Sequence, residues 1–516
     1  MSGTGNRIEI LDTTLRDGEQ TDCVSFSVQE KVQIADFLLR NLAVDRIEAG
    51  SCRVSQGEFE AVQSICRNAS EYGMPEKVEV LGFVDGKISV DWLCRAGGKV
   101  LNLLCKGSEK HCRGQLGKTL DEHVRDIREV ISYARERGVN VNIYLEDWSG
   151  GMKESEQYVF DMLGMLSSEP VLRYMLSDTL GVLNPVLTSK YLTCTLNKFP
   201  QLHFDFHAHN DYDLAVANSV SAAVAGVKAI HTTVNGLGER AGNTPLASIH
   251  AILKDHFAVS SGINENMLYE ASKLVECCSG IPVPVNKPVV GEKVFMQVAG
   301  IHADGDSKGG LYCSNLLPER FGRRRSYSLG KTSGKANIRR NLEEMGIKLD
   351  EKSMALVTRR VIELGDKKEL VMPEDLPYIA ADVLKNPVEN NVVKLIDYSM
   401  NLAYGSRPMS SVRVEIDGRQ YGASSSGSGQ YDAFVKALRK IWKDELSREL
   451  PVLENYVVTI PPGGRTDALV QTVITWKWDN RILRTCALDA DQNEAAIKAT
   501  MKMLNVFEQD FRKEQQ

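Results

Sequence analysis

VLNLLCKGSEKHCRGQLGKTLDEHVRDIREVISYARERGVNVNIYLED, residues 100–147, contains one full period of the pattern that organises the first half of the chain. Val100–Leu104 is a short apolar run. Between Val124 and Arg137 the apolar residues fall at 124, 127, 130, 131 and 134, the spacing of one helix face. Val141–Leu145 is a second apolar run. Strand, helix and strand in this order call for a parallel pair joined by a crossover. The alternation repeats outward in both directions. Apolar runs lie at Ile8–Leu11, Arg46–Ala49, Val78–Leu81, Tyr174–Leu176, His203–Phe206 and Ala229–Val234, with helical stretches such as Val28–Arg40 between them. Eight such units in about 250 residues predict a closed (β/α)8 TIM barrel. An open doubly wound sheet fits less well, because no GxGxxG follows the first strand.

Beyond the barrel the pattern changes. A helical stretch, Glu265–Cys278, runs into the Pro-rich IPVPVNKP (281–288) and the Gly-rich AGIHADGDSKGGLY (299–312). Two further helices are predicted at Lys335–Met345 and Asp350–Leu364. From about residue 390 the chain reads as two βββα units in tandem, a pseudo-symmetric α+β domain. The expected division is a barrel over 1–260, a helical lid-bearing linker over 261–388 and a (βββα)2 domain over 389–516.

Composition limits the function classes. The chain of 516 residues has 62 Lys+Arg against 68 Asp+Glu, a formal net charge of −6. That balance argues against a protein built to hold nucleic acid or an anionic membrane surface. No apolar run approaches the roughly 18 residues of a membrane span. The N-terminal stretch lacks the apolar core of a signal peptide. The 11 cysteines are odd in number, scattered and free of CxxC pairs, so a reduced, cytoplasmic enzyme is expected.

In a barrel of this kind, chemistry belongs at the C-terminal ends of the strands. His207-Ala-His209 ends the seventh. Residues two apart on a strand share a face, so both imidazoles can meet one divalent metal. Asp17, after the first strand, can close the ring as a carboxylate ligand and leave positions open for substrate. Asn243 is a candidate fourth oxygen ligand or a partner of the other ligands, and also a plain turn residue. Arg16 adjoins Asp17 and suits a substrate carboxylate or a developing oxyanion; a rim salt bridge is the bland alternative. Glu146 can act as general acid/base or can orient Arg16. His302, with Asp304 and Tyr312 on a Gly-rich loop, has the make-up of a lid. Two P-loop look-alikes, GQLGKT (114–119) and SLGKTS (328–333), lack the required first glycine. The basic run 323–325 is read either as a salt-bridged loop or as a contact for an anionic cofactor tail.

LDTTLRDGEQ (11–20), FHAHNDYDLAVANS (206–219) and NGLGERAGNTPL (235–246) resemble, in order and at separate strand ends, the signatures of the metal-dependent acyl-CoA Claisen-condensing enzymes. These are the 2-isopropylmalate, homocitrate and citramalate synthases. The resemblance continues through GIHADG (300–305) and covers nearly the whole chain. It implies a metal shell of Asp17, His207, His209 and Asn243 holding Mg2+, Mn2+ or Zn2+, with acetyl-CoA as co-substrate. It implies that Arg16 holds a 2-oxo acid and its enolate partner, that Glu146 is the acid/base group, and that Thr179 binds the keto acid's carboxylate. It further implies that His302 and Tyr312 reach the site of the partner subunit in a lid-swapped homodimer, and that the C-terminal repeat senses isoleucine or leucine. Gly310 departs from the family, where a polar residue such as Asn is common.

Leu81, Leu104 and Tyr144 end the third, fourth and fifth strands. Two Leu and a Tyr make a tight wall. Such a wall favours the methyl of pyruvate over the isopropyl of 2-oxoisovalerate, since overpacking costs typically about 1–3 kcal/mol. FVDG (83–86), LNLL (101–104) and YLEDWS (144–149) resemble the pyruvate-using branch. The expected reaction is condensation of acetyl-CoA with pyruvate. The alternatives are condensation with 2-oxoisovalerate, ordinary barrel-core roles for the three wall residues, and a C–C lyase, against which the C-terminal domain argues.

Overall fold

A computed structural model describes residues 7–297, 311–344, 347–366, 371, 375–376, 379–380, 383, 392–459, 470–478 and 481–515. Two compact units divide the chain: Met1–Phe295 with Ser314–Arg324, and Met296–Cys313 with Arg325–Gln516.

The first unit is a closed barrel of eight parallel strands in sequence order. They are β1 (Glu9–Asp12), β2 (Arg46–Ser51), β3 (Val78–Phe83), β4 (Val100–Lys106), β5 (Asn140–Glu146), β6 (Val171–Asp178), β7 (Phe204–Ala208) and β8 (Ala229–Thr232). β8 closes on β1 with Glu9 opposite Ala229 and Asp12 opposite Thr232. All eight strands fall on the eight apolar runs. The outward residues pack beneath the helices: Val80, Leu101, Leu103, Ile143, Leu145 and Phe206 are wholly buried in one continuous core.

The helices begin where local chemistry directs. Ser27 caps Val28–Asp36 by accepting from Glu30 N–H, and Glu30 returns the bond, a reciprocal capping box. Thr119 and Glu122 do the same for Leu120–Glu136. The helix Leu268–Ser279 and residues Val289, Val290 and Phe321 join the core of this unit. Arg323 donates to the carbonyls of Val289, Gly291 and Glu292 and lies over the Tyr269 ring at 4.3 Å. The Arg323 guanidinium is therefore built into the fold.

The second unit holds a short parallel pair, β9 (Met296–Gln297) with β10 (Ser326–Tyr327), and the helices Lys335–Glu344 and Glu351–Asp366. Two antiparallel sheets follow. The first is β11 (Val393–Asn401), β12 (Met409–Ile416) and β13 (Arg419–Ser426), ahead of the helix Gln430–Lys440. The second is β14 (Val452–Thr459), β15 (Val470–Trp478) and β16 (Arg481–Asp489), ahead of Gln492–Gln515. Both sheets and both helices share one core, with Val412, Val414, Phe434, Trp442, Ile474, Trp476 and Leu504 at its centre. The expected βββα repeat is present. No helix of the described residues is long and apolar enough to cross a membrane.

Candidate metal centre and active site

The barrel interior is unusually polar. Side chains alternate along a strand, and the inward positions carry Arg46 and Glu48 on β2, Glu79 on β3, Asn102 on β4, Asn142 on β5, Asp205 and His207 on β7, and His231 on β8, all buried. Toward the C-terminal mouth this column meets Asp17 and Arg16, which follow β1.

Asp17, His207 and His209 form the one group of three among the described residues whose donor atoms could hold one metal ion. His207 Nε2 and His209 Nε2 lie 3.3 Å apart. Asp17 Oδ2 lies 3.4 Å from the first and 3.9 Å from the second. Donors that share an ion through bonds of about 2.0–2.2 Å are separated by such distances. Burial lowers the pKa of both imidazoles, that of His209 to about 4. They are therefore neutral, the form that ligates metal. Burial alone would raise the Asp17 carboxyl, but Arg16 first and His207 next hold it well below the ordinary carboxylate range. Three electron-rich atoms thus converge on one point. Asn243 donates Nδ2–H to Asp17 Oδ1 at 2.8 Å, and its own Oδ1 is buried without a hydrogen-bond partner. This donor set fits a divalent cation.

The loop NGLGERAGN (235–243) brings Asn243 there. Gly238 passes so close that a Cβ would stand 2.2 Å from Asn243 Nδ2. Gly242 has φ +85°, and a Cβ on it would stand 1.9 Å from the Gly236 carbonyl oxygen. Asn243 bridges His209 in an isolated antiparallel pair.

Arg16 is held on three sides. Its Nη1 donates to Asp17 Oδ2 at 2.7 Å, Nε to Glu48 Oε2 at 2.6 Å, and Nη2 faces Tyr144 Oη at 3.3 Å. Glu48 also accepts from Asn102 Nδ2 at 2.8 Å. The structure corrects one reading here: Glu48, not Glu146, orients Arg16. Glu146 ends β5 directly opposite Lys106 of β4, and the two form an ion pair. The register commits the Glu146 side chain to that neighbour. Nothing in the motifs marked Glu48. Its signal was position, since a carboxylate at an alternate position in a strand buried on both faces has only the barrel interior to enter.

Thr179 follows β6, and its Oγ1 accepts from Asp147 N–H at 2.8 Å. Asp147 has φ +60° and is buried, its carboxylate accepting from Ser108 Oγ and meeting His111 Nδ1 at 2.7 Å each. Leu81 and Tyr144 join Leu11 and Met175 in a small apolar cluster inside the barrel, with Leu104 packed against it. Tyr312 lies in the second unit and is 46% exposed. His302 and Gly310 lie outside the described residues.

The fold and this site define a TIM-barrel enzyme with a two-histidine, one-carboxylate centre. Comparison with known proteins then identifies the family. Residues 7–275 match the HMGL-like family, 289–369 the homocitrate synthase post-HMGL domain and 370–508 the LeuA allosteric (dimerisation) domain. Two proteins of Methanocaldococcus jannaschii are each 32% identical to this chain over 97% of its length. One is named (R)-citramalate synthase CimA, of which 99% is covered, and the other 2-isopropylmalate synthase, of which 94% is covered. A solved hydroxymethylglutaryl-CoA lyase from Pseudomonas aeruginosa matches 56% of this chain and 98% of its own at 18% identity, with a TM-score of 0.49. The chain belongs to the citramalate synthase/2-isopropylmalate synthase family and is an acetyl-CoA-dependent condensing enzyme, an acyltransferase that carries an allosteric dimerisation domain.

Proposed function

We propose that this enzyme is an (R)-citramalate synthase, which condenses acetyl-CoA with pyruvate to citramalate and CoA on the route to isoleucine. The observation that carries the reading is the apolar cluster of Leu11, Leu81, Tyr144 and Met175, closed by Leu104 and standing beside Arg16. Two leucines and a phenol ring make a tight apolar wall, which favours a methyl side group on the keto acid over a branched one. An isopropyl group would meet overpacking of about 1–3 kcal/mol. None of the five is basic, which leaves a second carboxylate without a partner and argues against 2-oxoglutarate. The equal identity to the 2-isopropylmalate synthase keeps 2-oxoisovalerate and leucine synthesis as the second reading.

A divalent ion held by Asp17, His207, His209 and Asn243 would polarise the keto carbonyl as a Lewis acid. The chain's own groups do the rest. Thr179 already accepts the Asp147 N–H, so its hydroxyl proton is free to donate to the substrate's carboxylate. Arg16, fixed by Glu48 and Asp17, places a permanent positive charge where oxygen charge develops as the C–C bond forms. Glu146, ion-paired with Lys106, removes the methyl proton of acetyl-CoA. Water then cleaves the thioester and releases CoA. The resemblance alone supports a lid in which His302 and Tyr312 reach the partner subunit's site, and feedback control by isoleucine, or by leucine if 2-oxoisovalerate is the substrate.

CoA release measured with pyruvate, 2-oxobutyrate, 2-oxoisovalerate and 2-oxoglutarate tests the reading. The expected kcat/KM falls with side-chain size and is lowest for the diacid. Highest kcat/KM with 2-oxoisovalerate would make the enzyme a 2-isopropylmalate synthase.

A further inference from the structure

The Tyr144 hydroxyl ends a string of buried polar groups that the chemistry above does not use. Tyr144 Oη lies 3.0 Å from His231 Nδ1, and His231 Nε2 lies 3.3 Å from Asp205 Oδ2. Asp205 Oδ2 accepts from Arg46 Nη2 at 2.8 Å, and Arg46 Nη1 donates to Glu79 Oε1 at 2.8 Å. The string crosses the barrel through β5, β8, β7, β2 and β3. None of its five side chains is more than 4% exposed.

The direction of each proton follows from the partners. Asp205 beside Arg46 is a carboxylate and can only accept, so His231 carries its proton on Nε2. A neutral imidazole then offers a lone pair at Nδ1, and Tyr144 O–H donates to it. With that proton committed, the Tyr144 oxygen presents only lone pairs to its other neighbours. Arg16 Nη2, 3.3 Å away, donates to it. The phenol proton has a second acceptor in reach, Glu48 Oε2 at 3.4 Å, but His231 Nδ1 at 3.0 Å is nearer and Glu48 Oε2 already accepts from Arg16 Nε at 2.6 Å. Were Nδ1 absent, the phenol proton would turn to Glu48 and compete with Arg16 for that carboxylate.

We infer that His231 is a positioning residue for the condensation: it fixes the Tyr144 hydroxyl as an acceptor for Arg16, and so holds both the pocket wall and the guanidinium that faces the 2-oxo acid. This rests on the reading of Arg16 and Tyr144 as groups facing the substrate. A histidine that merely filled the barrel would act independently of the Tyr144 hydroxyl.

A double-mutant cycle on the full-length, metal-loaded enzyme tests it, using whichever 2-oxo acid the wild type prefers so that the substrate assignment does not enter. His231→Phe is expected to raise the KM for that acid about tenfold, the worth of a hydrogen bond to a charged group, with the KM for acetyl-CoA unchanged. Combining it with Tyr144→Phe is expected to add less than about twofold to the loss from Tyr144→Phe alone. His231→Gln, which keeps an acceptor, is expected to recover most of the wild-type KM. Losses that multiply, or an unchanged KM in His231→Phe, would overturn the inference. Should His231→Phe fail to fold, Tyr144→Phe decides, because an unchanged KM there means that the hydroxyl positions nothing. Arg16→Gln is the control for the underlying site: full activity in that variant would overturn the site reading itself, and the inference with it.

Discussion

Arg16 and Asp17 are neighbours in sequence but serve different partners, and each gives a separate prediction. Asp17 is the carboxylate of the proposed ion, so Asp17→Asn is expected to lower kcat/KM by more than about a hundredfold, beyond the usual 10–100-fold for groups one shell out. Chelation is expected to abolish activity, and adding back Mg2+ or Mn2+ to restore it; full turnover in chelator would contradict the metal centre. Leu81 tests the pocket. Leu81→Ala removes part of the wall, and the relative kcat/KM for 2-oxoisovalerate over pyruvate is expected to rise about tenfold, the relief of the overpacking cost. A stability loss of about 2–5 kcal/mol should accompany it, read by denaturant unfolding. At this scale the sequence was only partly legible. His207, His209 and Asp17 could be marked because strand periodicity and their places at the strand ends point their donors to one place, whereas Asn243 was marked by the resemblance. Glu48, Asn102, Asp205 and His231 could not. Each lies within an apolar run, and a polar residue in a run ordinarily signals the solvent face. Only barrel closure with helices outside shows that their side chains turn inward.

Between residues and the whole stand the elements, and here the reading of the sequence held well. The eight apolar runs coincide with eight strands because the outer face of each strand, covered by helices, is selected for β-branched and aliphatic residues. The helix periodicity survives for the same reason. Loops were less legible, since their geometry depends on contacts distant in sequence. The 235–243 loop shows this. Gly242→Ala forces a Cβ against the Gly236 carbonyl at φ +85°, and a loss of about 1–3 kcal/mol is expected together with reduced activity through the displaced Asn243. Unchanged melting and turnover would contradict the packing described. The contact between Glu265 and Arg320 gives a pH test. Burial opposes it, but hydrogen bonds from Arg320 and Lys254 lower the Glu265 pKa from 4.5 to about 2. A carboxyl lowered in the fold stabilises fully above its unfolded value and ceases to do so as pH falls through about 2. Glu265→Gln is therefore expected to lower Tm at pH 7, with the gap to wild type narrowing below pH 4.5. A gap constant from pH 7 to 3 would rule this out.

At the scale of the molecule, one chain couples a condensing barrel to an allosteric dimerisation domain. Titration of the full-length enzyme with isoleucine and leucine is expected to show inhibition by isoleucine, the end product of the pyruvate route. Insensitivity to both would remove the proposed control. Linkage requires that the inhibitor and the substrates alter one another's affinity by the same factor, which binding measurements with and without pyruvate can check. If the Leu81–Leu104–Tyr144 wall selects pyruvate, a competition between the two 2-oxo acids will show it. Full-length enzyme, acetyl-CoA and equimolar pyruvate and 2-oxoisovalerate are incubated together, and the products are counted by mass spectrometry at low conversion. Their ratio is the ratio of the two kcat/KM values. Citramalate is expected to exceed 2-isopropylmalate by at least about tenfold, whereas an excess of 2-isopropylmalate would contradict the account.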